Sequence, residues 1–154
     1  MRKMALSNIL VSQQPNFTYA PTLESRYVEN LEGERLERNN ALRSVTRHGI
    51  FMALASDIQP IGPMVGLYAS VTRRGSSGRI YAEDERLTMP EAIAAYTRNG
   101  AYLSFEEKTK GTIEPGKLAD LVVLSDNLLE IAAERILDVQ VEMTVLGGRI
   151  VFKR

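Results

Sequence analysis

The rhythm of apolar and polar positions changes several times along this chain, and each change predicts an element. Asn8 to Ser12 is a short apolar run with β-branched members and predicts a strand. Gln13 to Leu31 is polar, holds Pro15 and Pro21, and predicts a long irregular segment of the functional or poorly ordered kind. From Glu32 to Arg47, Leu36, Ala41, Leu42 and Val45 recur at helical spacing among charges. This predicts one amphipathic helix, ended by Gly49 at the position that favours glycine. Ile50 to Ala55 is apolar without interruption, the pattern of a strand buried on both faces of a parallel sheet. It stops at Ser56-Asp57. A loop with Pro60, Gly62 and Pro63 leads into a helix over Met64 to Arg73, and a glycine- and serine-rich loop reaches to about Arg86.

Thr88-Met-Pro-Glu91 predicts a helix start with a capping box and a proline in the first turn. That helix runs to Arg98, with Asn99-Gly100 as its stop. Further on, Gly116 to Ser125 predicts a strand whose Leu121 to Leu124 are core, and Asn127 to Glu134 a short helix. Asp138 to Leu146 alternates as a half-buried strand. Gly147-Gly148 predicts a two-residue hairpin turn before Arg149 to Phe152. The front half therefore reads as β/α units of a parallel sheet and the back half as antiparallel β. The composition shifts near Glu107 to Gly111.

Composition narrows the function classes. Lys plus Arg equals Asp plus Glu at 19 each, so no net charge favours nucleic acid or an anionic membrane surface. Arg73, Arg74 and Arg79 form a basic spot, read as a solvated loop because no stacking aromatics interleave. No apolar run approaches the ~20 residues that span a bilayer. The start, MRKMALSNILVSQQP, is broken by Ser7 and Asn8 and shows no cleavage site, so a signal peptide is not expected. With no cysteine the chain has no disulfide, thiolate metal site or cysteine nucleophile, which fits a cytoplasmic protein. Met52, Met64, Met89 and Met143 read as gap-filling core residues.

Asp57 is the candidate for chemistry. It sits at the carboxyl end of a buried strand, where catalytic groups collect in α/β folds. The alternative is that it only caps the turn that follows.

IFMALASDIQP, GLYASVTRR, LTMPEAIAAYTRNGAYLSFEEKTKGTIEPGKLADLVVL and VEMTVLGGRIVF, in this order, resemble the C-terminal portion of a metal-dependent amidohydrolase of the family 3 branch. The likeness extends upstream to VSQQPNF, which resembles the seventh barrel strand and its loop. The resemblance implies an α/β fold: the last two β/α units of a (β/α)8 barrel over 1–106, then part of a small β-sandwich over 107–154. Segment Gly111 to Leu124 would join the two, an architectural role.

The resemblance also implies that Asp57 is the general base toward a metal-bound water, and a possible metal ligand. The metal would be a divalent cation, zinc first. The substrate would be a small molecule with a C–N bond other than a peptide bond. The family's other ligands have no counterparts here. His48, the one histidine, matches none and reads as a helix-terminal residue, and Phe17 stands near the place of a family histidine. Tyr96 and Arg98 read as packing or surface groups. A catalytic zinc takes about three protein ligands, so the isolated chain is expected to be inactive and to hold no metal. The chain reads as a fragment of a longer enzyme. The alternative is a catalytically inactive scaffold, or a self-associating module with the same fold. Either way, self-association or a missing N-terminal portion is expected to cover its open edges.

Overall fold

The computed structural model describes residues 1–57 and 61–154. The molecule is mixed α/β. After a short helix α1 (Arg2–Leu6), strand β1 (Val11–Gln13) runs parallel to β2 (Met52–Leu54), with Val11 opposite Met52 and Gln13 opposite Leu54. The crossover between them carries α2 (Asn16–Tyr19), α3 (Pro21–Asn30), α4 (Gly33–Glu37) and α5 (Arg43–Arg47). Then follow α6 (Pro63–Thr72), α7 (Met89–Tyr96) and α8 (Arg98–Leu103). A second, antiparallel sheet closes the chain in the order β3 (Leu121–Leu124), β4 (Val141–Leu146), β5 (Arg149–Lys153).

All three residues of β2 are buried, as the uninterrupted apolar run predicts. They share one core with Leu42, which caps α5, Val45 from α5, Leu67 and Tyr68 from α6, and Ala92 and Ala95 from α7. Leu128, Ile136 and Val139 reach the same core from beyond residue 107. The helix α7 begins as its sequence predicts: the Thr88 N–H donates to Glu91 Oε2 (2.7 Å), and the Glu91 N–H donates to Thr88 Oγ1 (3.4 Å). Gly147 and Gly148 both take positive φ and turn β4 into β5 with Leu146 opposite Arg149.

Several expectations are corrected. The segment 13–31 is not irregular, because α2 and α3 occupy it and Pro21 opens α3 at a first-turn position. The single helix over 32–47 is two. Between α4 and α5 the carbonyls of Asn39 and Asn40 accept bonds from Arg73 (2.6 and 2.8 Å), so they do not continue a helical ladder. Arg73 itself is fully buried rather than solvated, and its Nε donates to Tyr81 O (2.9 Å). Burial pulls the Arg73 guanidinium down to about 10, with Glu85 and Asp84 acting against that shift.

The chain does not stop at Asn99-Gly100 either. It kinks at Thr97 and continues as α8, and Asn99 Nδ2 donates to Met52 O (2.8 Å). Leu128 to Ile131 forms a turn and a bend, and the helical turn comes later, as a 3-10 segment over Ala133–Asp138. In β3, Val122 and Val123 are exposed and not core.

Candidate functional site

The carboxyl ends of β1 and β2 lie side by side, since Gln13 pairs with Leu54 and the Ala55 N–H donates to Gln13 O (2.8 Å). Asp57 leaves this end of the sheet exposed, in the left-handed region at φ 57°. Aspartate tolerates that conformation better than most side chains, because its short polar group can bond locally. Pro60, named in the sequence as the turn after Asp57, lies outside the described residues.

Three polar side chains stand around this end. Asn16, fully buried at the start of α2, donates from Nδ2 to Gly62 O (3.1 Å). The Gly62 N–H donates to Ser56 Oγ (3.2 Å). Tyr96, at the last turn of α7, points its hydroxyl at Asn16 Oδ1 (3.2 Å) and Ala55 O (3.4 Å). Burial pushes the Tyr96 phenol up to about 12, against a hydrogen bond from Ser56. It is therefore a neutral hydrogen-bonding group at physiological pH. Tyr96 was read from sequence as packing or surface, and Asn16 was passed over. The local signals were the asparagine directly after Gln14-Pro15 and the Ser-Asp step.

His48 lies at the other end of β2. It is exposed at the end of α5, with Nδ1 2.7 Å from Ser44 O. Helix-terminal is the correct description, and the structure does not bring it to Asp57. A groove of about 370 Å³ flanks the amino-terminal part of β2, lined by Phe51, Met52, Leu87, Glu91, Arg98 and Asn99. It does not include Asp57. Arg98 is exposed, as expected.

A metal can be tested against the donor set. Among the described residues no three His, Asp or Glu groups gather where they could hold a metal ion. A catalytic zinc takes about three protein ligands, so these residues alone do not fit one. At most they bring one carboxylate, Asp57. Among the described residues, too, no helix is long and apolar enough to cross a membrane.

Comparison with known proteins gives a consistent result. A model described as the amidohydrolase family matches residues 2–152. The putative amidohydrolase YtcJ of Bacillus subtilis is 30% identical over 97% of this chain and 31% of its own length. An N-substituted formamide deformylase of Arthrobacter pascens is 33% identical over 73% of this chain and 21% of its own length. Among solved structures, an amidohydrolase from Thermotoga maritima superimposes over 99% of this chain and 34% of that one, with a TM-score of 0.65 at 24% identity. The chain thus spans less than a third of these two curated relatives and about a third of the solved structure.

Proposed function

The chain belongs to the amidohydrolase family, and from that premise we propose that it is the C-terminal portion of a metal-dependent amidohydrolase. On this reading residues 1–106 supply the last two β/α units of a (β/α)8 barrel, and residues 107–154 supply strands of the small β-sandwich. The parallel β1–β2 pair followed by the antiparallel β3–β4–β5 sheet supports that division. The observation that carries the functional part is the place of Asp57: exposed, at the carboxyl end of the buried parallel strand β2. In barrel enzymes that is the catalytic end.

Asp57 then acts as general base. Its carboxylate takes a proton from the attacking water as the water oxygen bonds to the substrate carbonyl carbon. The same proton passes to the leaving nitrogen as the C–N bond breaks. The name of the Arthrobacter relative, a deformylase of N-substituted formamides, supports a C–N bond outside a peptide. The divalent metal that such an enzyme requires, zinc first, would take Asp57 as at most one ligand and the rest from outside this chain.

The test is Asp57→Asn in the complete enzyme, which keeps size and removes basicity. The expected loss is about 10²–10⁴-fold in kcat with little change in melting temperature. Activity within a few-fold of the parent would show that Asp57 is only a turn cap. A second reading, a self-associating scaffold without catalysis, is favoured by one observation: β5 is exposed along its whole length.

A further inference from the structure

We propose that Tyr96, Asn16, Gly62 and Ser56 form a hydrogen-bonded clamp that positions Asp57. Three links run in a chain. Asn16 Nδ2 donates to Gly62 O (3.1 Å), and the Gly62 N–H donates to Ser56 Oγ (3.2 Å). The Tyr96 hydroxyl donates to Asn16 Oδ1 (3.2 Å), with Ala55 O as a second acceptor (3.4 Å). The chain of bonds joins the residue that precedes Asp57 to the residue that caps α6, and ties them to α2 and α7. Loss of the Ser56 hydroxyl leaves the Gly62 N–H without its acceptor in a partly buried site.

Gly66 gives independent support. A Cβ there would collide with Tyr96 Oη and lie 2.5 Å from Asn16 Oδ1. Glycine at this point of α6 makes room for the clamp. Its φ is not in the left-handed region, so close approach and not backbone freedom is what glycine supplies here.

Tyr96, Asn16 and Ser56 are thus positioning residues, and Ser56, the residue before Asp57, is tied to Gly62. The consequence for catalysis rests on the reading of Asp57 given above, but the clamp itself does not.

The test is amide hydrogen exchange of the 154-residue chain, resolved at Gly62, whose N–H bonds Ser56 Oγ. Tyr96→Phe and Ser56→Ala break the chain of bonds at different points, and Gly66→Ala pushes a methyl group into it. Each should speed exchange at this amide roughly tenfold, while the amides of β2 and the interior of α7 stay within about twofold of the parent. No local increase in any of the three variants, or an increase spread evenly over α6 and α7, would overturn the clamp. In the complete enzyme Tyr96→Phe should lower kcat roughly tenfold with KM nearly unchanged, the mark of a transition-state contribution. Faster exchange in Tyr96→Phe beside full activity in Asp57→Asn would keep the clamp and sink the base assignment. Unchanged exchange beside an inactive Asp57→Asn would do the reverse.

Discussion

Replacing Glu24 with alanine removes a carboxylate that four donors share. Ser76 Oγ (2.8 Å), the Ser77 N–H (3.0 Å), Ser77 Oγ (2.6 Å) and Tyr81 Oη (2.8 Å) all donate to it, across more than fifty residues of chain. Burial alone pushes the Glu24 carboxyl upward, but these bonds outweigh it and hold the group below its usual range. Hydrogen bonds to a charged group are worth about 1.5–3 kcal/mol each, and they do not add. The exposed serines can turn to water when the carboxylate is gone. Tyr81 is 3% exposed and cannot. A local cost of about 3 kcal/mol is therefore expected, which is roughly a hundredfold in the opening equilibrium.

The readout is hydrogen exchange at the amides of Gly75, Gly78 and Tyr81, which bond Arg79 O, Gly75 O and Arg73 O. Amides of the β4–β5 ladder serve as the control. Glu24→Gln should fall between parent and alanine, since it keeps one acceptor but turns an NH₂ toward donors. Gly75→Ala should reproduce the defect from the other side, because its Cβ would collide with the Glu24 carboxylate. Exchange in Glu24→Ala within about threefold of the parent would mean that the carboxylate is replaceable by water, and the reasoning would fail.

The isolated chain should carry no stoichiometric zinc; elemental analysis finding near one zinc per chain after gel filtration would refute this. Light scattering should find self-association and not a compact monomer, because both edges of the β3–β4–β5 sheet are open. Glu91 gives an acid prediction: the Arg43 bond, with burial opposing it, holds its carboxyl down at about 2. A depressed carboxylate stabilises above its unfolded value of about 4.3 and loses that contribution as pH falls toward 2. Its side chain is 43% exposed, so the contribution is discounted to about 1 kcal/mol. Urea titrations of parent and Glu91→Gln should differ at pH 6 and converge near pH 2; a gap that persists at pH 2 would count against the pairing.

What could be read from the sequence follows from how local each signal is. The buried strand and the Thr88 start of α7 depend on neighbours within a few residues, and both were legible. The Gly147-Gly148 turn depends on two residues and was legible too. The break between α4 and α5 was not, because its cause is Arg73, more than thirty residues away in the chain. Helix α3 was hidden for a similar reason. Its inward anchor is Glu24, a charged residue that no apolar period marks. Val122 and Val123 look like core because they are apolar, but which faces are covered depends on what packs there. Asp57 was legible as the end of a strand. The bonds of Asn16 and Tyr96 beside it were not, since they join residues more than 40 apart.

The exposed sheet also bears on which reading of the chain is better. Neighbouring residues of a strand point to opposite faces, and here neighbours are apolar and exposed together: Val122 with Val123 in β3, Ile150 with Val151 and Phe152 in β5. A second copy docked on one face would cover half of these side chains and leave the others in water. A covering that reaches both faces needs chain on two sides of the sheet, which a larger polypeptide supplies more simply than a symmetric dimer. On the reading of Asp57 proposed above there is a parallel demand, because among the described residues no group of three His, Asp or Glu could hold a metal. One missing portion that meets both demands favours the enzyme over the scaffold. Adding that portion should protect the amides of Val122 and Val151 alike. Protection on one face only would favour the self-associating module instead.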